Sequence, residues 1–109
     1  MGKAILLTGA TGYIGGRLLA ELERQGRSVR ALARNPESLR TRDAPSTEVV
    51  RGDVLDPASL REAMAGVQTA FYLVHSMGAS SDFAELDREG ARNFGDAARE
   101  AGVRRIVYV

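Results

Sequence analysis

The stretch Thr8-Gly9-Ala10-Thr11-Gly12-Tyr13-Ile14-Gly15, directly after the apolar run Ala4-Ile5-Leu6-Leu7, constrains this chain more than any other feature. An unbroken apolar run suits a parallel strand covered on both faces. The glycines at positions 9, 12 and 15 fall where such a strand would hand over to a helix. Glycine permits a sharp turn and lets backbone approach a ligand closely. The helix that follows aims its free N–H groups and positive dipole end back at the turn, which makes a cradle for phosphate. A lone glycine triplet carries little weight. At a strand-to-helix junction it points to the pyrophosphate of a dinucleotide. In that arrangement Gly9 makes the turn, Gly12 permits close approach and Gly15 lets helix and strand pack tightly. Thr11, Tyr13 and Ile14 complete the candidate cradle. The hydroxyls of Thr8 and Thr11 can either donate to phosphate or tie the turn together, and Gly16 reads as a second packing glycine.

The alternation of strand and helix patterns continues to the last residue. Tyr13 to Gln25 places Ile14, Leu18, Leu19 and Leu22 on one helical face, with Gly26 to stop it. Ser28 to Ala33 is a second strand, with Val29, Ala31 and Ala33 pointing one way. Residues 36–46, which include Pro36 and Pro45, read as a loop with one helical turn, and Thr47 to Arg51 as a third strand. Asp56-Pro57 is a cap followed by a first-turn proline, opening a helix to about Ala65 that Gly66 ends. Gln68 to Val74 is the fourth strand. Asp82 is placed to cap a long helix in which Phe83, Leu86, Phe94, Ala97, Ala98 and Ala101 keep helical spacing and Gly102 closes. Arg104 to Val109 is a fifth strand. The pattern predicts one α/β domain over residues 1–109: a doubly wound parallel sheet of five strands in a three-layer α/β/α arrangement with right-handed crossovers. Ligands bind such sheets where the strand order reverses. Gly9 to Gly15 and the loop from His75 to Ser81 are both expected to face that crevice.

The strand ends supply the remaining candidates. Domains that bind NAD place an acid about 20 residues beyond the glycines for the ribose 2′-hydroxyl, whereas an arginine there accommodates the 2′-phosphate of NADP. Between Glu23 and Glu37 the chain has no acid, and Ala33-Arg34-Asn35 occupies the position. Arg34 offers a planar fork of donors suited to phosphate. Arg17, one helical turn into the first helix, can approach the same place, and Arg30 is expected to be solvated. Asp53 is either an acceptor for the adenine amino group, with Val54 against the ring, or a turn-forming aspartate. Asp56 reads as a helix cap only. Val74 and His75 close the fourth strand and are expected to contact the nicotinamide-side ribose rather than to transfer protons. Phe71 and Tyr72 read as packing. One histidine with scattered carboxylates does not make a metal site.

Composition removes other classes. Net charge is +1 and charged residues make up 27% of the chain with mixed signs, so neither a nucleic-acid footprint nor a membrane-surface patch is expected. No apolar run approaches a membrane span, and Met1-Gly2-Lys3 leads directly into a strand, so a cytoplasmic protein is expected. Without cysteine there is no disulfide framework and no thiolate nucleophile. Lys3 is the only lysine.

Thr8-Gly9-Ala10-Thr11-Gly12-Tyr13-Ile14-Gly15, Ala31-Leu32-Ala33-Arg34-Asn35-Pro36 and Gly52-Asp53-Val54-Leu55-Asp56-Pro57 together resemble the short-chain dehydrogenase/reductase superfamily. The resemblance is closest to its extended and atypical members, including NmrA-like NAD(P)-binding proteins. It implies a Rossmann fold holding a dinucleotide at the residues already named, with NADP preferred and NAD an alternative. It also exposes a departure, because the superfamily's chemistry usually uses a Tyr-x3-Lys pair. Here Tyr13 is followed four residues on by Arg17 and Tyr72 by Ser76, and Tyr108 lies too near the last residue. Members are typically more than twice this length, so the chain resembles an N-terminal portion expected to bind cofactor without turnover. Its partners would be a dinucleotide and an unidentified small-molecule substrate, and its apolar fifth strand invites self-association. The alternative is a non-catalytic regulator or scaffold that senses the dinucleotide.

Overall fold

In the computed structural model, which describes residues 4–9, 13–37, 47–73 and 81–108, the first strand, β1 (Ala4–Thr8), lies at the centre of a five-stranded sheet. Its apolarity follows from that position. Ile5 and Leu7 join one core layer with Leu19 and Leu22 of α1 (Tyr13–Arg24), while Leu6 joins the other. The next strand, β2 (Val29–Ala33), repeats the division: Val29, Ala31 and Ala33 face the α1 layer as expected, and Leu32 faces away. The remaining elements are β3 (Thr47–Arg51), α2 (Pro57–Ala63), β4 (Val67–Tyr72), α3 (Ser81–Ala101) and β5 (Arg105–Tyr108). Every strand pair is parallel and the order is β3-β2-β1-β4-β5, so the order reverses between β1 and β4.

The second core layer is built by α2 and α3. Leu60, Ala63 and Met64 meet Phe94, Ala97 and Ala98 over Leu6, Ala70 and Tyr72. Phe94 is fully buried, and its ring meets that of Tyr72 edge to face with centroids 4.9 Å apart. The expected start and stop signals act locally. Asp56 Oδ1 accepts from the Ala58 N–H at 3.2 Å with Pro57 in the first turn. Gly26, Gly66 and Gly102 all take positive φ just beyond the three helices.

Four expectations are corrected. Ile14 was placed on the buried face of α1 but is 53% exposed. The buried ridge runs through Gly15, Leu19 and Leu22, one residue round the helix, and Ile14 flanks it. Likewise Leu86 and Ala101 are exposed, so among the described side chains of α3 the buried face runs from Gly90 to Ala98, and the side chain of Phe83 lies outside those described. Asp82 lies inside the first turn of α3 rather than before it. Arg30 is not solvated. Its guanidinium donates to the Ala63 and Ala65 carbonyls at 2.5 and 2.8 Å and pairs with Glu48 at 3.1 Å. It thereby satisfies carbonyls left open at the end of α2. The loop expected over residues 36–46 lies largely outside the described residues.

Candidate functional site

Parallel pairing carries the ends of β1 to β4 to one edge of the sheet, and the candidate residues gather there. Thr8 is buried at the end of β1, and its hydroxyl donates to the Phe71 carbonyl at 2.9 Å. Of its two expected roles it performs the structural one, tying β1 to β4 where the strand order reverses. The next residue takes φ +82°, and a Cβ there would lie 2.9 Å from the Leu73 carbonyl oxygen. Both the turn and this approach therefore require Gly9. Four residues on, α1 begins at Tyr13 with no acidic side chain in its first turn. Its positive end is not offset by its own residues, which suits an anion. Gly15 is buried beneath that turn, and Ile14 stands exposed beside it. Thr11 and Gly12, and likewise Val74 and His75, lie outside the described residues, and Tyr13 is described through its backbone as the start of α1.

The β2 and β3 ends form the other part. A depression of about 420 Å³ is lined by Arg34, Arg51, Asp53 and the first residues of α2. Arg17 is not among its lining residues. Asp53 Oδ1 accepts from the Leu55 N–H at 2.9 Å, so this carboxylate does shape its turn, and it still lines the depression. Ser59 secures the same turn by accepting from the Asp53 N–H at 3.1 Å and donating to the Asp56 carbonyl at 2.8 Å. Asn93, on α3, donates to the Val54 carbonyl at 2.9 Å. At Gly90 an added Cβ would lie 2.8 Å from Val54 Cγ2, so the helix lies directly against this loop. Thus Gly9, Ile14, Gly15, Arg34, Asp53 and Val54 come to one edge of the sheet. Arg51 and Asn93 were not found by sequence reasoning, because each reaches the site through contact with a distant segment, and Ser59 was not found although its partners Asp53 and Asp56 are only six and three residues away. Among the described residues no group of three or more potential metal ligands occurs, and no helix is long and apolar enough to cross a membrane.

A parallel sheet reversing at β1/β4, a glycine turn under its first helix and an open depression at the β2/β3 ends define a dinucleotide-binding Rossmann domain. The chain belongs to the NAD(P)H-binding family, whose pattern matches residues 9–109. It is 35% identical over 113 residues to cinnamoyl-CoA reductase 1 of Oryza sativa subsp. japonica, which covers 97% of this chain and 33% of that protein. Among solved structures it is similar to the triphenylmethane reductase of Citrobacter sp. complexed with NADP(H), with 34% identity and a TM-score of 0.79 over 96% of this chain and 36% of that one. A short-chain dehydrogenase/reductase superfamily protein from Agrobacterium tumefaciens with bound NAD gives 33% identity and a TM-score of 0.81, covering 96% of this chain and 31% of that one. The resemblance to short-chain dehydrogenases/reductases therefore stands, and the chain spans about a third of the length of these relatives.

Proposed function

We propose that the chain is the cofactor-holding part of a short-chain dehydrogenase/reductase-type oxidoreductase that prefers NADP to NAD. The observation that carries the preference is Arg34, exposed at the end of β2 and lining the depression where the pattern for NAD would require an acid. Gly9 and the N-terminal turn of α1 hold the pyrophosphate, with Thr11, Gly12, Tyr13, Ile14 and Gly15 completing the cradle. The Asp53 carboxylate accepts from the adenine amino group, Val54 lies against the ring, and Arg34 forks onto the 2′-phosphate. Val74 and His75 reach the nicotinamide-side ribose. The bound cofactor supplies a hydride donor or acceptor at its nicotinamide ring. Substrate and proton donor are held by residues other than those named here, in keeping with the share of its relatives that the chain spans.

Calorimetric titration of the chain with NADPH and NADH tests the reading. Arg34→Ala should weaken NADPH by roughly tenfold or more, the worth of a charge-assisted hydrogen bond, and leave NADH nearly unchanged. Equal losses for both would remove the 2′-phosphate role. A non-catalytic sensor is the second reading, favoured by the absence of a lysine four residues after either Tyr13 or Tyr72. Reduction of carbonyl substrates by the whole protein would exclude it.

A further inference from the structure

We infer that Arg51, the last residue of β3, is a second ligand for the 2′-phosphate and a determinant of cofactor preference alongside Arg34. The inference rests on the dinucleotide reading above and adds a residue to it. The β2/β3 register sets Arg51 directly opposite Ala33, the neighbour of Arg34. The Gly52 N–H donates to the Ala33 carbonyl at 3.0 Å, so the two strand tips stay paired up to the residues in question. Two arginines seventeen positions apart in sequence are thereby brought to the rim of one depression.

Their state distinguishes them from the paired arginines of the chain, and their place on one depression from exposed arginines such as Arg27 and Arg105. Arg24 pairs with Glu21, Arg30 with Glu48 and Arg99 with Asp96. Arg34 and Arg51 make no hydrogen bond or ion pair with any described residue, and both are exposed. This holds although Asp53, Asp56 and Glu62 line the same depression. Asp53 and Asp56 each turn a carboxylate oxygen to a backbone N–H of their own loop, Leu55 and Ala58 respectively. Both guanidinium forks are left for an anion from outside.

The carboxylates make the second arginine useful. A phosphate entering beside three carboxylates is repelled, and Arg51 halves the net negative charge that Arg34 alone leaves on the rim, from two to one. It also adds a second planar fork, matched to phosphate oxygens. NAD carries no phosphate at this position and gains nothing from either fork. The pair therefore acts on the difference between the two cofactors, which is what selectivity requires.

The test is calorimetric titration of the whole chain and of Arg51→Gln with NADPH, NADH and adenosine 2′-monophosphate. The expected result is a loss of roughly tenfold or more for NADPH and adenosine 2′-monophosphate, with NADH within about twofold of the unsubstituted chain. Arg51→Lys should recover only part of the loss, since an ammonium lacks the fork. The ratio of two ligands on one variant is insensitive to partial unfolding, which lowers both together. An unchanged NADPH-to-NADH ratio in Arg51→Gln overturns the role of Arg51 and leaves the site standing if both cofactors still bind. Failure of the unsubstituted chain to bind either cofactor overturns the dinucleotide reading, and Arg51 with it.

Discussion

Gly9 separates two reasons for a glycine that usually travel together. Its φ of +82° disfavours any side chain, and the Leu73 carbonyl at 2.9 Å from an added Cβ excludes one sterically. Gly26 shares only the first reason: its φ is +74° and nothing lies within 4 Å of an added Cβ. Gly26→Ala should therefore cost about 1–2 kcal/mol, the left-handed backbone alone. Gly9→Ala should cost measurably more and also weaken dinucleotide binding, because the β4 tip must move. Urea denaturation of the two variants side by side checks this, and equal costs would show that the close approach at Gly9 is easily relaxed. Residues governed by their own neighbours were legible in the sequence, Gly9 and Asp56 among them. Arg30 and Arg51 were not, because their partners at Ala63 and Ala33 come from other elements, and the choice between the two roles open to Thr8 is made by the Phe71 carbonyl of β4.

At the scale of elements, periodicity placed all five strands and the three long helical segments, and the errors are ones of phase and extent. A helix turns 100° per residue, so the ridge through Gly15, Leu19 and Leu22 differs from one through Ile14 and Leu18 by a single step. Only the sheet beneath decides between them. Leu86 kept helical spacing with Phe94, yet burial on α3 follows where the sheet and α2 reach rather than where apolar residues continue. The start of α2 is more sharply specified. Asp56 caps it through the Ala58 N–H, while Ser59, one turn in, holds Asp53. Asp56→Ala should destabilise the protein by about 1 kcal/mol, read in thermal or urea melts. A change below a few tenths would mean that Pro57 and Ser59 define the helix start without the cap.

The molecule joins two core layers across one sheet, and among the described residues the layer containing Phe94 is the larger. Phe94 is fully buried against Tyr72, so Phe94→Ala should cost about 3–5 kcal/mol, measured as a shift in urea midpoint at constant slope. A smaller loss would mean that α2 and α3 close over the space. The doubly wound parallel sheet was legible, because short connections and right-handed crossovers leave few arrangements for this sequence of elements. The depression beside it was not, since no periodicity announces which side chains meet across paired strands.

The order β3-β2-β1-β4-β5 has a consequence for how such a protein can change. Three strand spacings separate the tip of β3 from that of β4, about 14 Å at the usual spacing. That exceeds the roughly 7–10 Å within which substitutions ordinarily influence one another. Changes at Arg51, the last residue of β3, can therefore accumulate independently of changes beyond β4, whereas Arg34 beside β2, two spacings or about 10 Å away, lies at the edge of that range. On the proposed reading, the choice of cofactor is set at the tips of β2 and β3, and the β3 side of it can drift or be re-engineered while the β4 tip is held constant.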